Sequence, residues 1–144
     1  MANISINLTK LRLKQAREDL NDANFLCNNG SYKGANNRAY YSIFHTMKAI
    51  LSLEPIDFKK HKDVIAYFNQ NYINKEVFPK DLGHKIKKAE IVRDNSDYND
   101  FYIVSKSDTE DIIKTATELY NYGIHYTRDW CKSNNMDFDD IEEQ

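Results

Sequence analysis

Apolar residues recur every three or four positions along most of this chain, a spacing that commits it to helices. Leu11, Leu13, Ala16, Leu20, Ala23 and Leu26 mark a first helix from about Leu8 to Asn28, and Asn28-Asn29-Gly30 suits a left-handed cap that stops it. Ser31 is placed to cap a second helix, which continues through Leu53 until Glu54-Pro55 breaks it. The turn between them is short, so these two helices should pack antiparallel. Val64, Ile65, Phe68, Tyr72 and Ile73 fit a shorter amphipathic helix, and Phe78-Pro79 closes the connection before another helix begins near Lys80. A loop from Asp97 to Ser107 then carries Phe101, Tyr102, Ile103 and Val104, an apolar run with no strand to pair with. Ser107 or Asp108 caps the last helix, whose inward band of Ile112, Ile113, Ala116, Leu119, Tyr120, Gly123, Ile124 and Thr127 reaches about Trp130. Four long helices and one short one predict an all-α, up-and-down four-helix bundle with an additional short helix.

At 144 residues, with 41% apolar and 29% charged residues, the chain fits a single domain over 1–144 with a core of its own. The acidic stretch 132–144, ending in DFDDIEEQ, reads as a frayed tail. A net charge of −2 argues against a protein that coats nucleic acid indiscriminately, although KDLGHKIKKAEIVR gathers lysines locally. No stretch is long and apolar enough to span a bilayer, and the N-terminus lacks the hydrophobic core of a signal peptide, so no membrane contact and a cytoplasmic location are expected. Cys27 and Cys131 fall on different predicted helices without a CxxC partner and read as free thiols. His45, His61, His84 and His125 show no short ligand spacing, so neither a metal nor a cofactor is assigned.

Against this background Arg93 stands out. Leu82, Ile86 and Ala89 draw one apolar stripe, and the next residue on it is Arg93. A guanidinium turned toward a helix interface must find carboxylate, phosphate or hydrogen-bonding partners, because burying it alone costs several kcal/mol (about 3–5). Asp97 follows one helical turn later, and RDNSDY (Arg93 to Tyr98, with Asp94 and Asn95) is rich in hydrogen-bonding groups. A second cluster lies in NNRAYYSIFHTMKAIL, where Arg38, Tyr41, Ser42 and His45 share one side of a helix that is apolar over the rest of its circumference and therefore central.

NNRAYYSIFHTMKAIL, followed by HKDVIAYFNQNYI and then a lysine-rich helix running into VRDNSDYNDF, resembles the small stand-alone prokaryotic HEPN domains (higher eukaryotes and prokaryotes nucleotide-binding) from about Leu8 to Trp130. The resemblance implies a HEPN-like helical bundle that commonly forms homodimers. It also implies kinship with metal-independent endoribonucleases that use an arginine and a histidine with four to six residues between them, a spacing that Arg38 and His45 also meet on the second helix. Several members are toxins encoded beside a small nucleotidyltransferase that acts as antitoxin, and others have lost catalysis. Carried onto this chain, the family's arginine matches Arg93, the polar residue after it matches Asp94, and the histidine slot holds Tyr98, a phenol with a pKa near ~10 and a poor proton acceptor at neutral pH.

Two functional readings follow. In the first, the chain is an RNA-targeting, toxin-like component of a toxin–antitoxin or defence pair, with ribonuclease activity carried by Arg93, Arg38, His45 and Tyr98: the arginines hold phosphate, and His45 or Tyr98 moves a proton. In the second, it is a non-catalytic module that binds a nucleotide, RNA or a nucleotidyltransferase partner through the same cleft, with Asp94, Asn95, Asp97 and Tyr41 as binding residues. A purely structural alternative makes His45 and Tyr41 satisfied core polar residues that hold the RDNSDY segment, with Asp97 paired to Arg38 or Arg93.

Overall fold

The computed structural model describes residues 2–138, and their side chains from Ile6 onward. Five α-helices follow in order: α1 (Ala2–Asn28), α2 (Tyr32–Leu51), α3 (His61–Phe68), α4 (Lys80–Tyr98) and α5 (Lys106–Ser133). No strand occurs among the described residues. Gly30 makes the turn out of α1 with a φ of 78°, the left-handed conformation that glycine adopts without penalty.

The core is built around α2, which packs on α1, α3, α4 and α5. Ala39, Tyr40, Ile43, Phe44, Met47, Ile50 and Leu51 are all buried, so this helix is enclosed on most sides, as its composition predicts. On α1 the inward face is Leu13, Ala16, Leu20 and Ala23, whereas Leu11 lies 64% exposed because a two-residue offset from Leu13 turns it to the opposite side. A π-helical turn, Asn69–Ile73, continues α3 and is closed by the Asn74 N–H donating to the Asn69 carbonyl at 2.8 Å. It places Tyr72 and Ile73 together in the core, where Tyr67 and Tyr72 donate to the Glu54 carboxylate at 2.9 and 2.5 Å.

Several helix ends differ from expectation by a few residues. The cap of α5 is Ser105, whose Oγ accepts from the Asp108 N–H at 3.0 Å, rather than Ser107 or Asp108, which lie inside the first turn. The helix ends at Ser133, and beyond it Phe138 is buried beside Cys131 in a smaller apolar cluster formed with α1, so the described part of the acidic tail is anchored. Residues 139–144 lie outside the described residues.

α2 and α5 approach closely at Gly123, where an added Cβ would meet Thr46 Cγ2 at 2.9 Å. Thr46 is fully buried and its hydroxyl is committed to the Ser42 carbonyl, so it has little room to yield. Gly123→Val is expected to lower stability by about 2–3 kcal/mol through overpacking, outweighing the gain in helix propensity. A urea midpoint equal to that of the unaltered protein would contradict this.

Candidate functional site

Residues 38, 41 and 45 return to one edge of α2 because three and seven residues make nearly one and two full turns. Around the half-buried Tyr41 of this edge, three other helices each add one side chain. α1 contributes Asp19, α3 contributes His61 at its first residue, and α4 contributes Arg93.

Asp19 is the buried anchor, its side chain only 2% exposed. Its Oδ1 accepts from Arg38 Nη1 at 3.2 Å and from Gln15 Nε2 at 3.3 Å, and its Oδ2 accepts from His45 Nδ1 at 2.9 Å. An ionised carboxylate has no proton to give, so the hydrogen in the last bond belongs to Nδ1. The neutral ring is thereby held as the tautomer whose lone pair sits on Nε2. The partly exposed Arg38 also donates from Nη2 to the Asn37 side-chain oxygen at 2.9 Å and lies 5.1 Å from the centre of the Tyr41 ring.

Arg93 occupies the inward position its stripe predicts, after the buried Leu82, Ile86 and Ala89. Its Nη2 donates to the Tyr41 hydroxyl at 3.3 Å, and the guanidinium lies 4.8 and 5.7 Å from the Tyr40 and Tyr41 ring centres. Because α4 persists to Tyr98, Asp97 falls one turn away, with Oδ2 2.9 Å from Arg93 Nε. That short contact is electrostatic: the buried Nε–H is not aimed along it and makes no hydrogen bond. Asp94 adds a longer contact of 3.4 Å to Nη1.

Of the residues singled out in the sequence, the structure therefore brings Arg38, Tyr41, His45 and Arg93 together, with Asp97 and Asp94 on the outer side of Arg93. Tyr98 is 78% exposed at the end of α4, open to solvent. Asn95 is half-buried, and its carbonyl accepts from the Asn99 N–H. Ser42 faces away from the cluster, donating to the Ala16 carbonyl at 2.8 Å in the α1–α2 interface.

Asp19 and His61 were not anticipated. The signal for Asp19 was present, since it falls on the stripe Ala16, Asp19, Ala23 just as Arg93 falls on its own. His61 carries no such mark and is placed by tertiary packing. Its ring stacks on Phe44 at 3.8 Å between centroids and meets Tyr41 edge-on at 5.8 Å, while His45 lies 5.9 Å from the same Phe44 ring and 6.1 Å from Tyr41.

Burial, and then the positive charges of Arg93, His45 and Lys48, push the His61 imidazole below its ordinary value of 6.5. Burial likewise pushes the Tyr40 phenol up to about 12, so it stays neutral under Arg93. For His61 the unfolded chain binds the proton more readily than the folded one, so its contribution to stability is present above 6.5 and is lost as pH falls through the lowered folded value. Wild-type protein should lose more stability than His61→Phe between about pH 7.5 and about pH 5. Parallel pH profiles of the two proteins' denaturation midpoints would contradict that sign.

A cavity of about 260 Å³ lies elsewhere, between α4 and α5. Two of its three lysines are engaged, Lys85 with Glu118 and Asp81 and Lys88 with Asp111. The cluster around Tyr41 assembles two imidazoles, two guanidiniums and a buried carboxylate from four helices. Among the described residues, no group of three or more His, Cys, Asp or Glu side chains is arranged to hold a metal ion, and no helix is long and apolar enough to cross a membrane.

The fold is thus an all-helical bundle with a polar cluster where α1, α2, α3 and α4 meet. The HEPN-domain profile matches residues 9–126, and the chain belongs to the HEPN family. A UPF0332 protein of Thermotoga maritima is 31% identical over 103 residues, covering 72% of this chain and 78% of its own length. A UPF0332 protein of Pyrococcus horikoshii is 40% identical over 76 residues, 50% of this chain and 54% of its own. A protein of Methanocaldococcus jannaschii, named a "putative toxin", is 37% identical over 83 residues, 58% of this chain and 62% of its own.

Proposed function

We propose that this chain is an RNA-targeting, toxin-like HEPN protein and that the cluster around Tyr41 is a metal-independent endoribonuclease site. The observation that carries the reading is the hydrogen bond from His45 Nδ1–H to buried Asp19, made beside two arginines that flank one tyrosine ring. Cleaving RNA without a metal needs a proton acceptor or donor near the ribose and cationic groups against the phosphate. His45, held in one tautomer, supplies the first. Arg38 and Arg93 supply the second, since guanidiniums match the geometry of phosphate oxygens. Tyr41 holds the two guanidiniums beside one ring, so that both face the same phosphate. The chain carries the family's arginine but not its following histidine, and in this reading His45 on α2 takes over proton transfer while exposed Tyr98 contacts the strand. The "putative toxin" relative agrees with the toxin-like role.

A second reading, a non-catalytic module that docks a nucleotidyltransferase or a second copy of itself, is favoured by the segment after α4, where Phe101 and Ile103 are 95% and 86% exposed. The two separate on one experiment. Purified protein is incubated with mixed-sequence RNA in excess chelator; the ribonuclease reading expects cleavage to products with 2′,3′-cyclic phosphate ends. Intact RNA, together with altered nucleotide or partner binding by Arg93→Ala, would replace it with the docking module.

A further inference from the structure

We propose that His61 is the second proton-transfer residue of this site, taking the proton from the ribose 2′-hydroxyl while His45 protonates the departing 5′-oxygen. The inference deepens the ribonuclease reading and rests on it. Its ground is the placement of two imidazoles from different helices on the same pair of aromatic rings: Phe44 lies 3.8 Å from His61 and 5.9 Å from His45, and Tyr41 lies 5.8 and 6.1 Å from them. Tyr41 also accepts from Arg93, so a phosphate drawn to that guanidinium sits beside both imidazoles.

The two rings differ in what surrounds them, and that difference assigns the roles. The titratable groups acting on His61 are basic, Arg93 from α4 and His45 and Lys48 from α2, and the ring is partly desolvated against Phe44. It therefore rests unprotonated, with a lone pair available. His45 instead donates from Nδ1 to a carboxylate, Asp19, which compensates the charge the ring takes on when Nε2 is also protonated, so it is the ring suited to deliver a proton. The reaction balances without a metal or redox partner: the 2′-oxygen gives its proton to His61 and bonds to phosphorus, the phosphorus–5′-oxygen bond breaks, and His45 supplies the proton that the 5′-oxygen takes. The products are a 2′,3′-cyclic phosphate and a free 5′-hydroxyl. Hydrolysis of the cyclic ester or exchange with solvent restores both rings.

The test compares wild type, His45→Ala, His61→Ala and His61→Phe on two substrates under chelation. One is an ordinary ribodinucleotide, and the other carries sulfur in place of the bridging 5′-oxygen, a leaving group that needs no proton. His61→Phe retains a ring to stack on Phe44, so a fold that depends only on stacking survives in it, and helicity is checked by circular dichroism. On the oxygen substrate all three variants should be slower by about 10²–10⁴-fold. On the sulfur substrate His45→Ala should recover to within about tenfold of wild type, while both His61 variants stay slow. Wild-type rates in either folded His61 variant, or equal rescue of His45 and His61 variants by sulfur, would overturn the assignment while leaving the ribonuclease reading standing. A wild-type protein that cleaves neither these substrates nor mixed-sequence RNA overturns both.

Discussion

Arg93→Ala is expected to slow metal-free RNA cleavage by about 10²–10³-fold with little change in helicity. The placement of this guanidinium is dictated twice, by the apolar stripe that turns it inward and by Tyr40, Tyr41 and Asp97 that receive it. Its place beside two rings and its planar fork of donors give it a directed geometry toward a phosphate, which an ammonium lacks. Arg93→Lys should therefore recover less than a tenth of the lost rate, by the same order-of-magnitude reasoning. A lysine variant at wild-type activity would reduce Arg93 to a diffuse positive charge.

Asp19→Ala carries the second large effect, and it acts on stability and activity together. The carboxylate is buried and accepts from Gln15, Arg38 and His45. Removing it strands a histidine N–H and leaves the Arg38 guanidinium and the Gln15 amide without their acceptor between α1 and α2. The expected cost is about 2–3 kcal/mol, below that of a fully buried ion pair because Arg38 and His45 are 37% and 28% exposed and regain water. Asp19→Asn keeps the shape and should cost less in stability, yet it frees the His45 tautomer and should still reduce cleavage by roughly a hundredfold. Urea midpoints and cleavage rates of the two variants measure these effects separately. Full activity in Asp19→Asn would show that the carboxylate only holds α1 to α2.

The fold was legible because periodicity is a local property. The stripes of α2, α4 and α5, the stop at Gly30 and the break before Pro55 are all written in short windows of sequence. Helix ends were less so: Ser105 rather than Ser107 caps α5 because the competing hydroxyls sit two residues apart and only backbone geometry chooses between them. The π-helical turn at Asn69–Ile73 left no sequence mark, since an extra residue in a turn shifts no composition.

The site was half legible. Arg93 declared itself by violating its stripe, and Arg38, Tyr41 and His45 by sharing an edge. Asp19 violated its stripe in the same way but was hidden by the polar residues around it in REDLNDAN. His61 could not be found from its own helix, because its role depends on α3 folding back against Phe44, a contact made seventeen residues away in the chain. Tyr98 was marked only by its motif slot, and the structure places it at the exposed end of α4, outside the ring of contacts around Tyr41.

The central claim is that nucleic acid binds at the cluster around Tyr41. Nuclear magnetic resonance of the protein titrated with a single-stranded oligoribonucleotide, 2′-O-methylated to prevent cleavage, tests it most directly. The imidazole resonances of His45 and His61 and the Nε–H of Arg93 are expected to shift together and to saturate at one strand concentration. Those signals staying fixed while the lysines of the α4–α5 groove, Lys85, Lys88 and Lys114, move instead would contradict it.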